Sequence, residues 1–482
     1  MTAHLQGRSR WLALIILCLG DLMIVLDSTV VNVALPSIRT DLGFTETTLV
    51  WVVNAYLLTY GGFLLLGGRL GDLYGHRRMF LVGIVFFTLA SLACGLANSQ
   101  FLLITARAIQ GLGGAVVSAV ALSLIMIIFT DGEERAKAMG VYGFVMAGGG
   151  TIGVLMGGLL TDLLSWHWVF LVNIPIGALV YALTLALVPD DHAGQKNERL
   201  DVAGAITVTL SLLLAVYAIV DGNEAGWGSF RTVSLLALAA ILMAAFLIIE
   251  ARVATPLMPL GLFRFRNLSV SNIASVLWAA AMFAWFFLSA LYLQIVLGYT
   301  PMEVGLAFLP GNLIMGAFSV CLSAKLVSRF GIRAPLAIGL LLAAAGLALF
   351  ARAPVDGTFW IDVMPGMTLL GLGAGIAFNP ILLAAMNDVG PHESGLASGI
   401  VNTSFMMGGA LGLAILASLA AARTAEMSAQ GAAMPDALNA GYQIAFLLGA
   451  VCAALAGALA FLLRPALPQQ APAGALAPAE AE

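Results

Sequence analysis

The chain has 482 residues, of which 61% are hydrophobic and 10% are charged, with a net charge of −4. A soluble protein of this length could not bury so much apolar surface, so the composition predicts an all-α protein that lies in a lipid bilayer. The small negative charge and the lack of a basic run argue against a nucleic-acid partner. The four cysteines and five histidines have no metal-ligand spacing, so no metal site is expected.

Fourteen apolar stretches are each long enough to cross a bilayer as a helix. Six lie within residues 1–188, two within 189–267 and six within 268–464, and the Ala- and Pro-rich tail 465–482 is predicted to be disordered. The predicted spans are Trp11–Val33, Leu49–Gly67, Met79–Ala97, Phe101–Phe129, Ala138–Leu160, Trp168–Val188, Val202–Val220, Val233–Ile249, Leu268–Leu297, Val304–Leu326, Ala334–Ala351, Val363–Met386, Gly395–Ala420 and Gln443–Leu463.

Basic residues fall mainly on one side of the predicted membrane. If both termini are cytoplasmic, sixteen Lys and Arg residues lie inside and four lie outside. Such a bias sets the orientation of a membrane protein. Trp51, Trp166, Trp168 and Trp360 then lie near the outer ends of spans, where aromatic side chains favour the interface.

The segment Gly68–Arg78, GRLGDLYGHRR, joins the second and third spans and has a degenerate copy in Ala324–Arg333, AKLVSRFGIR. A positive loop that only orients two spans would explain the arginines, but not Asp72 or the glycine spacing. The spans repeat as well, since Arg107–Ala115 corresponds to Met367–Gly375. Two related halves with two inserted spans between them indicate a duplicated membrane protein, which is typical of secondary transporters.

Apart from Lys325 at the inner end of its span, the charged residues inside the predicted spans are Asp21, Asp27 and Arg107. A charge near the bilayer centre costs roughly 2.5–3.5 kcal/mol, so such residues usually serve a function. Helix rise places Asp27 about 6 Å and Arg107 about 9 Å below the outer face, so we expect them to pair or to share a water network. Asp21 lies about 15 Å deep, near the midplane where transporters bind cargo. A purely structural Asp27–Arg107 pair, and an Asp21 without a specific role, stay open as alternatives.

Glycines recur every fourth residue in the fifth span, at Gly149, Gly153 and Gly157, and Gly150 and Gly158 lie beside them. This spacing places the three glycines on one helix face, which predicts close contact with another helix. The contact is either fixed packing or a sliding surface between two moving bundles.

Four motifs in the first half resemble those of the major facilitator superfamily, and within it the fourteen-span drug:proton antiporters of the EmrB/QacA type. Leu26–Pro36 (LDSTVVNVALP) is similar to that family's first-span motif, Gly68–Arg78 to its loop signature and Arg107–Ala115 to its fourth-span motif. Gly153–Gly158 (GVLMGG), followed by Trp166–Gly177 (WHWVFLVNIPIG), is similar to the antiporter motif around the fifth span.

The sequence departs from that pattern at two places. Val154 stands where the antiporter motif usually has proline, and Phe405 and Met406 stand where relatives commonly carry a polar pair. Both changes are compatible with the fold, and both leave the substrate open.

The resemblance implies the major facilitator fold, with fourteen transmembrane helices arranged as two six-helix bundles plus two inserted helices. It also implies a proton-coupled antiporter that exports amphipathic or cationic small molecules by alternating access, without a cofactor or enzymatic activity. A facilitator or proton symporter for a small polar metabolite is the alternative, and a membrane enzyme or receptor is more remote. The implied setting is the bacterial inner membrane, with a monomer as the functional unit. Members of this family work either with a periplasmic adaptor or alone.

The candidate site residues fall into four groups. Asp27 and Arg107 are assigned to proton coupling, and the segment Gly68–Arg78 is expected to hold the cytoplasmic side shut. The substrate cavity is expected to include Asp21, Asn32, Tyr56, Gln110, Trp278, Tyr292, Gln294 and Asn379, with Asn54 as a further candidate. The gating loop includes Gly68, Gly71, Asp72, Gly75, Arg77 and Arg78. The antiporter motif includes Gly149, Gly153, Gly157 and Gly158.

Overall fold

The computed structural model describes residues 8–129, 131–188, 200–389 and 394–464, and within them every regular element is helical. The predicted disordered tail and the polar linker Pro189–Asn197 lie outside these ranges. The α-helices are α1 (Arg8–Leu42), α2 (Glu46–Tyr74), α3 (His76–Gly95), α4 (Gln100–Ile128), α5 (Gly132–Leu163), α6 (Trp168–Leu171), α7 (Asn173–Leu187), α8 (Val202–Ala225), α9 (Phe230–Arg252), α10 (Arg266–Leu291), α11 (Pro301–Cys321), α12 (Ser323–Phe330), α13 (Arg333–Phe350), α14 (Met364–Met386), α15 (Ser394–Ala429) and α16 (Met434–Leu459). Short 3-10 or π turns occupy Leu260–Arg264, Tyr292–Val296, Phe359–Val363 and Ala460–Leu462.

Fourteen helical stretches of the described chain are long and apolar enough to cross a membrane, which confirms the predicted number of spans. The sixth of them is divided into α6 and α7. The first span was predicted too short, because α1 continues to Leu42 instead of ending at Val33. Leu35 and Ile38 are fully buried, and their packing keeps the chain helical past Pro36.

The two halves of the chain use the same glycine contact. In the first half Gly113 of α4 lies against Phe87 of α3, and a Cβ on this glycine would come within 2.6 Å of the Phe87 backbone nitrogen. In the second half Gly373 of α14 lies against Ala343 of α13, and a Cβ would again come within 2.6 Å of the backbone nitrogen. Glycine permits this helix approach at both sites because a side chain would not fit. The sequence repeat is therefore also a repeat of helix packing.

The halves join through two helix pairs, α2 with α15 and α5 with α11. The inserted pair α8–α9 lies beside the first of these seams, since α8 packs on both α2 and α15. Asn223 of α8 fixes this position by donating to the Ser418 carbonyl of α15 at 2.7 Å. Ser211 of α8 donates to the Ala239 carbonyl of α9 at 2.7 Å and so holds the pair together.

The contact between α5 and α11 lies at the end of the molecule that the sequence assigns to the outside. There a Cβ on Gly158 would come within 2.6 Å of the Pro301 carbonyl oxygen. Toward the other end of α5, Gly140, Gly143 and Gly148 have nothing within 4 Å of the position that a Cβ would take. The halves are therefore in close contact at the C-terminal end of α5, whereas Gly140, Gly143 and Gly148 in its N-terminal part stand away from neighbouring helices.

Candidate functional site

Asp27 of α1 and Arg107 of α4 form a direct ion pair inside the first half. Nη1 of Arg107 donates to Oδ2 of Asp27 at 2.5 Å, and the two residues are 0% and 1% exposed. A charge buried this deeply is stable only when its partner and its remaining hydrogen bonds are all in place. The pair is therefore the centre of a site that must be built by its neighbours.

Three further side chains complete the surroundings of Asp27. Oδ1 of Asp27 accepts hydrogen bonds from Nε2 of Gln110 at 2.7 Å and from Nδ2 of Asn173 at 2.9 Å. Oγ of Ser91 accepts from the same two amides, at 2.7 Å from Gln110 and 3.3 Å from Asn173. Both carboxylate oxygens of Asp27 thus accept hydrogen bonds from side chains of other helices.

Arg107 is held by contacts of its own. Its Nε donates to the Val52 carbonyl of α2 at 2.9 Å, and Nη1 also donates to Oε1 of Gln110 at 2.7 Å. The Tyr56 ring lies 4.4 Å from the guanidinium carbon, and the Phe170 ring lies 5.6 Å from it. Both rings present faces that attract a cation, so the guanidinium is stabilised by aromatic contacts as well as by its carboxylate.

The fourth-span motif explains why these groups meet. Arg107 and Gln110 are three residues apart on α4, which places them on the same helix face. Gly111 follows directly, and a Cβ there would come within 2.5 Å of the Tyr56 carbonyl oxygen. Its missing side chain lets α2 approach closely enough to bring Val52 and Tyr56 to Arg107.

Gln110 and Tyr56, predicted to line the substrate cavity, lie beside the ion pair in this structure. They are 0% and 2% exposed and belong to the surroundings of the ion pair. The analysis did not single out Ser91 or Asn173. A signal was available for Asn173, which interrupts the apolar run of α6 and α7 within the segment similar to the antiporter motif.

Asp21 forms a second buried carboxylate site on α1, closer to the midplane. Oδ1 accepts from Oγ of Ser118 at 2.6 Å, and the hydroxyl of Tyr142 interacts with the same carboxylate. Tyr60 and Tyr142 lie beside the carboxylate. The side chain is fully buried in this state, so Asp21 does not line an open cavity here. It differs from Asp27 in having no basic side chain paired with it among the described residues.

Three of the other predicted cavity residues bond to backbone carbonyls in this structure. Asn32 donates to the Ser28 carbonyl of its own helix at 3.2 Å, and Asn379 donates to the Ser319 carbonyl at 2.9 Å. The Tyr292 hydroxyl donates to the Pro354 carbonyl at 2.7 Å. Each of these three polar side chains therefore donates to a backbone carbonyl and is satisfied without water.

Trp278 and Gln294 have different surroundings. Trp278 lines a narrow apolar cleft between α10, α11 and α14, together with Met282 and Met315. Gln294 crosses between the halves, where its Nε2 donates to the Val33 carbonyl of α1 at 2.9 Å. Gln294 therefore lies in a contact between the two halves, and Trp278 lies beside an apolar cleft.

The predicted gating loop is much shorter than expected. Gly68, Gly71 and Asp72 are helical, because α2 runs to Tyr74, and Gly75 alone separates it from α3. Gly75 has φ 93°, a conformation that L side chains rarely adopt, which explains glycine at this turn.

The polar side chains around this turn make contacts within the first half. Nε2 of His76 lies 3.2 Å from Oδ1 of Asp72, and Nη2 of Arg77 donates to the Leu185 carbonyl of α7 at 2.7 Å. Arg78 is exposed. These contacts fasten the ends of α2, α3 and α7 to one another.

The glycine face of α5 packs on α1, in the same half of the molecule. Gly149 lies against Leu22 and Val25, and a Cβ on Gly157 would come within 2.6 Å of the Val30 carbonyl oxygen. The prediction of a sliding surface between bundles is therefore wrong for Gly149, Gly153 and Gly157. Gly158 is about 100° further round the helix and faces α11 of the other half instead.

Comparison with known proteins places these features in a family. The model of the Major Facilitator Superfamily matches residues 17–413. The chain is 40% identical over 460 residues to the puromycin resistance protein pur8 of Streptomyces alboniger, covering 94% of this chain and 91% of that protein. It is 36% identical over 471 residues to the cephamycin export protein CmcT of Amycolatopsis lactamdurans, covering 96% and 94%.

A solved structure supports the same fold. The chain resembles a bacterial homologue of the human lysosomal transporter Spinster, in an inward-facing and unoccupied conformation, with a TM-score of 0.64 and 17% identity. The match covers 95% of this chain and 97% of that structure. At this identity the likeness concerns the fold alone. The family resemblance of the sequence motifs is confirmed, and the chain belongs to the Major Facilitator Superfamily.

Proposed function

We propose that this protein exports amphipathic or cationic small molecules, antibiotics among them, in exchange for protons by alternating access. Two relatives that match along nearly the whole chain are named for puromycin resistance and for cephamycin export. The observation that carries proton coupling is the buried ion pair between Asp27 and Arg107, at 2.5 Å. A facilitator or proton symporter for a small polar metabolite is the alternative that an experiment has to exclude.

Asp27 is the proposed proton carrier, and its donors decide when it binds a proton. While Arg107, Gln110 and Asn173 donate hydrogen bonds to the carboxylate of Asp27, it does not bind a proton. If α1 and α4 separate during the transport cycle, Asp27 loses its cation while it stays buried, and desolvation then favours the neutral acid. Proton uptake and release thus follow the distance between the two helices.

Asp21 is the proposed contact for the charge of a cationic cargo. Its carboxylate has no basic partner within the described residues, and the side chains of Tyr60 and Tyr142 lie close by. A carboxylate with aromatic neighbours suits an amphipathic cation, since the ring faces also attract positive charge. Asp21 is six residues before Asp27 on α1, about 9 Å along the helix, so cargo and proton act on one helix at two levels.

The outer end is closed by polar contacts that join the halves. Gln294 donates to the Val33 carbonyl at 2.9 Å, and the Tyr442 hydroxyl lies 3.5 Å from Oε1 of Glu46. Opening toward the outside requires both contacts to break. We propose that this conformation faces the cytoplasm, and that Gly68–Arg78 contacts the second half when the cytoplasmic side closes.

The proposed setting is the inner membrane of a bacterium, with both termini in the cytoplasm and a monomer as the functional unit. Basic residues on the predicted cytoplasmic side support this orientation. Transport by the purified protein alone would show that a periplasmic adaptor is not needed for the transport step itself.

Proteoliposomes test the proposal directly. With an imposed proton gradient, the wild-type protein should accumulate a lipophilic cation and move protons in the opposite direction. Asp27→Asn should abolish uphill transport and proton movement, whereas Asp162→Asn, which changes an exposed carboxylate on α5, should behave as the wild type. Cation and proton movement in the same direction would identify a symporter. Cation movement without protons would identify a facilitator.

A further inference from the structure

Asp201 and Glu250 are brought together at one end of the inserted helix pair. Asp201 directly precedes α8, Glu250 lies in the last turn of α9, and the two residues are 4% and 3% exposed. Each carboxyl group has one oxygen fixed by a backbone N–H. Oδ1 of Asp201 accepts from Gly204 at 2.8 Å, and Oε2 of Glu250 accepts from Met258 at 3.0 Å.

The remaining two oxygens face each other. Oδ2 of Asp201 and Oε1 of Glu250 both lie closer than 3.0 Å to the point that a Cβ on Gly204 would occupy. The two carboxyl groups are within hydrogen-bonding reach, and neither oxygen has a donor among the described residues. Two ionised carboxylates repel each other strongly at this range in a buried site, so the arrangement calls for one proton between them.

We propose that Asp201 and Glu250 form a proton-binding site, in which one shared proton fastens the ends of α8 and α9 together. The helix ends determine where the proton resides. Asp201 lies at the N-terminus of α8, where the helix dipole favours a negative charge, whereas Glu250 lies at the C-terminus of α9, where the dipole opposes one. Glu250 therefore carries the proton and donates it from Oε1 to Oδ2 of Asp201.

Among the described residues, few charged side chains lie near this proton. Asp201 is the charged side chain that acts on Glu250 within the described part of the chain. Of the other charged residues on the elements packed here, Arg252 of α9 is exposed, and Arg69 at the end of α2 is half-buried with an interaction of its own. The nearby contacts are otherwise apolar, with Ala205 packed against Leu66 of α2 and Leu257.

The site connects the inserted pair to the segment that leads into the second half. Glu250 holds the N–H of Met258, and the neighbouring Leu257 packs against Leu66 near the cytoplasmic end of α2. Loss of the proton would place two negative charges side by side, push the ends of α8 and α9 apart and loosen this segment. The site therefore makes the attachment of α8 and α9 to α2 sensitive to pH.

Thermal unfolding of the full-length protein in nanodiscs tests the site. A proton bound in the folded state stabilises it at low pH, and this stability is lost as the pH rises. The unfolding constant of the wild type should therefore increase about tenfold per pH unit relative to that of Glu250→Gln, over the range in which the site titrates. Glutamine keeps a donor toward Asp201 but cannot release a proton. Glu224→Gln, an exposed change on α8, should follow the wild type.

Infrared spectroscopy supplies an independent measurement. The wild type should show a carbonyl stretch from a buried protonated carboxyl group, lost in Glu250→Gln and shifted in Asp201→Asn. Parallel pH profiles for wild type and Glu250→Gln, or a band unchanged in Asp201→Asn, would overturn the proposal. Stabilisation of the EDTA-treated wild type by Mg²⁺ or Ca²⁺, absent from Glu250→Gln, would overturn it in favour of a metal site.

Discussion

The side chain of Asn54 in α2 donates a hydrogen bond to the backbone carbonyl of Ala410 in α15, at 2.9 Å. Both residues are fully buried, and the bond joins the two halves of the molecule along the α2–α15 seam. The sequence analysis considered Asn54 as a cavity residue. In this conformation its amide instead forms a hydrogen bond between the two bundles.

Asn54→Leu should therefore weaken the joint between the halves. The Ala410 carbonyl lies inside α15 and keeps its helical hydrogen bond, so the change removes one hydrogen bond between the halves, worth about 0.5–1.5 kcal/mol. We expect a lower unfolding midpoint and a lower transport rate. Asn32→Leu is the matched control, because the Asn32 amide reaches only carbonyls of its own helix, those of Ser28 and Thr29. Equal decreases in unfolding midpoint and transport rate for the two variants would show that the bond to Ala410 does not stabilise the contact between the halves.

The glycine face of α5 allows a sharp comparison between neighbouring positions. A Cβ on Gly157 would come within 2.6 Å of the Val30 carbonyl oxygen, so Gly157→Ala forces α1 to move. Asp27 lies one turn before Val30, and its distance to Arg107 should change with that movement. We expect lower thermal stability and slower transport.

Gly150→Ala is the control for this face. Nothing lies within 4 Å of a Cβ at Gly150. Alanine in place of glycine inside a helix is worth about 0.5–1 kcal/mol, so this variant should be as stable as the wild type or slightly more so. Full activity and stability of Gly157→Ala would contradict the close packing of α5 on α1.

Arg107→Lys should abolish most transport although it keeps the positive charge. A lysine ammonium cannot present the planar fork that donates at once to Asp27, Gln110 and the Val52 carbonyl. We expect at least a tenfold loss of proton-coupled transport and a lower unfolding midpoint, since breaking a buried pair costs about 3–5 kcal/mol when a partner is removed entirely. Arg78→Lys, at an exposed position, should leave both unchanged. Normal uphill transport by Arg107→Lys would mean that only the charge matters.

The orientation can be tested by reporter fusions. A reporter after Gln470 should lie in the cytoplasm, and one placed within Glu426–Asn439 should lie outside, because sixteen basic residues fall on the predicted inner side. An outside signal from the C-terminal fusion would reverse the assignment of the open and closed ends. A cytoplasmic signal from both positions would contradict the span between them.

Much of this fold could be predicted from the sequence because its signals are local. Apolar length gives the spans, glycine spacing gives close helix contacts, and helix rise alone placed Asp27 and Arg107 at matching depths. The cavity residues could not be predicted in the same way. A polar side chain in an apolar span can line a cavity, or it can bond to a backbone carbonyl, as Asn379 and Tyr292 do. Only the packing of neighbouring helices decides between the two.

Asp21→Asn separates the recognition of cargo charge from proton coupling. Asp21 is fully buried without a basic partner among the described residues, so a neutral amide of the same size should be accepted and the protein should fold about as stably as the wild type. Ser118 can still donate to the oxygen of the amide. The Asp27–Arg107 pair keeps its own donors, so proton movement driven by a neutral amphipathic substrate should continue.

Binding of a lipophilic cation to Asp21→Asn should weaken by tenfold or more, which corresponds to a loss of about 1.4 kcal/mol for each factor of ten. Fluorescence titration of the purified variant with a cationic and a neutral dye of similar size measures both affinities in one preparation. Equal weakening for the two dyes would indicate a change of shape in the site, without recognition of charge. Unchanged affinity for the cation, together with lost proton movement, would show that Asp21 carries the proton and would leave Asp27 as the candidate contact for the cargo charge.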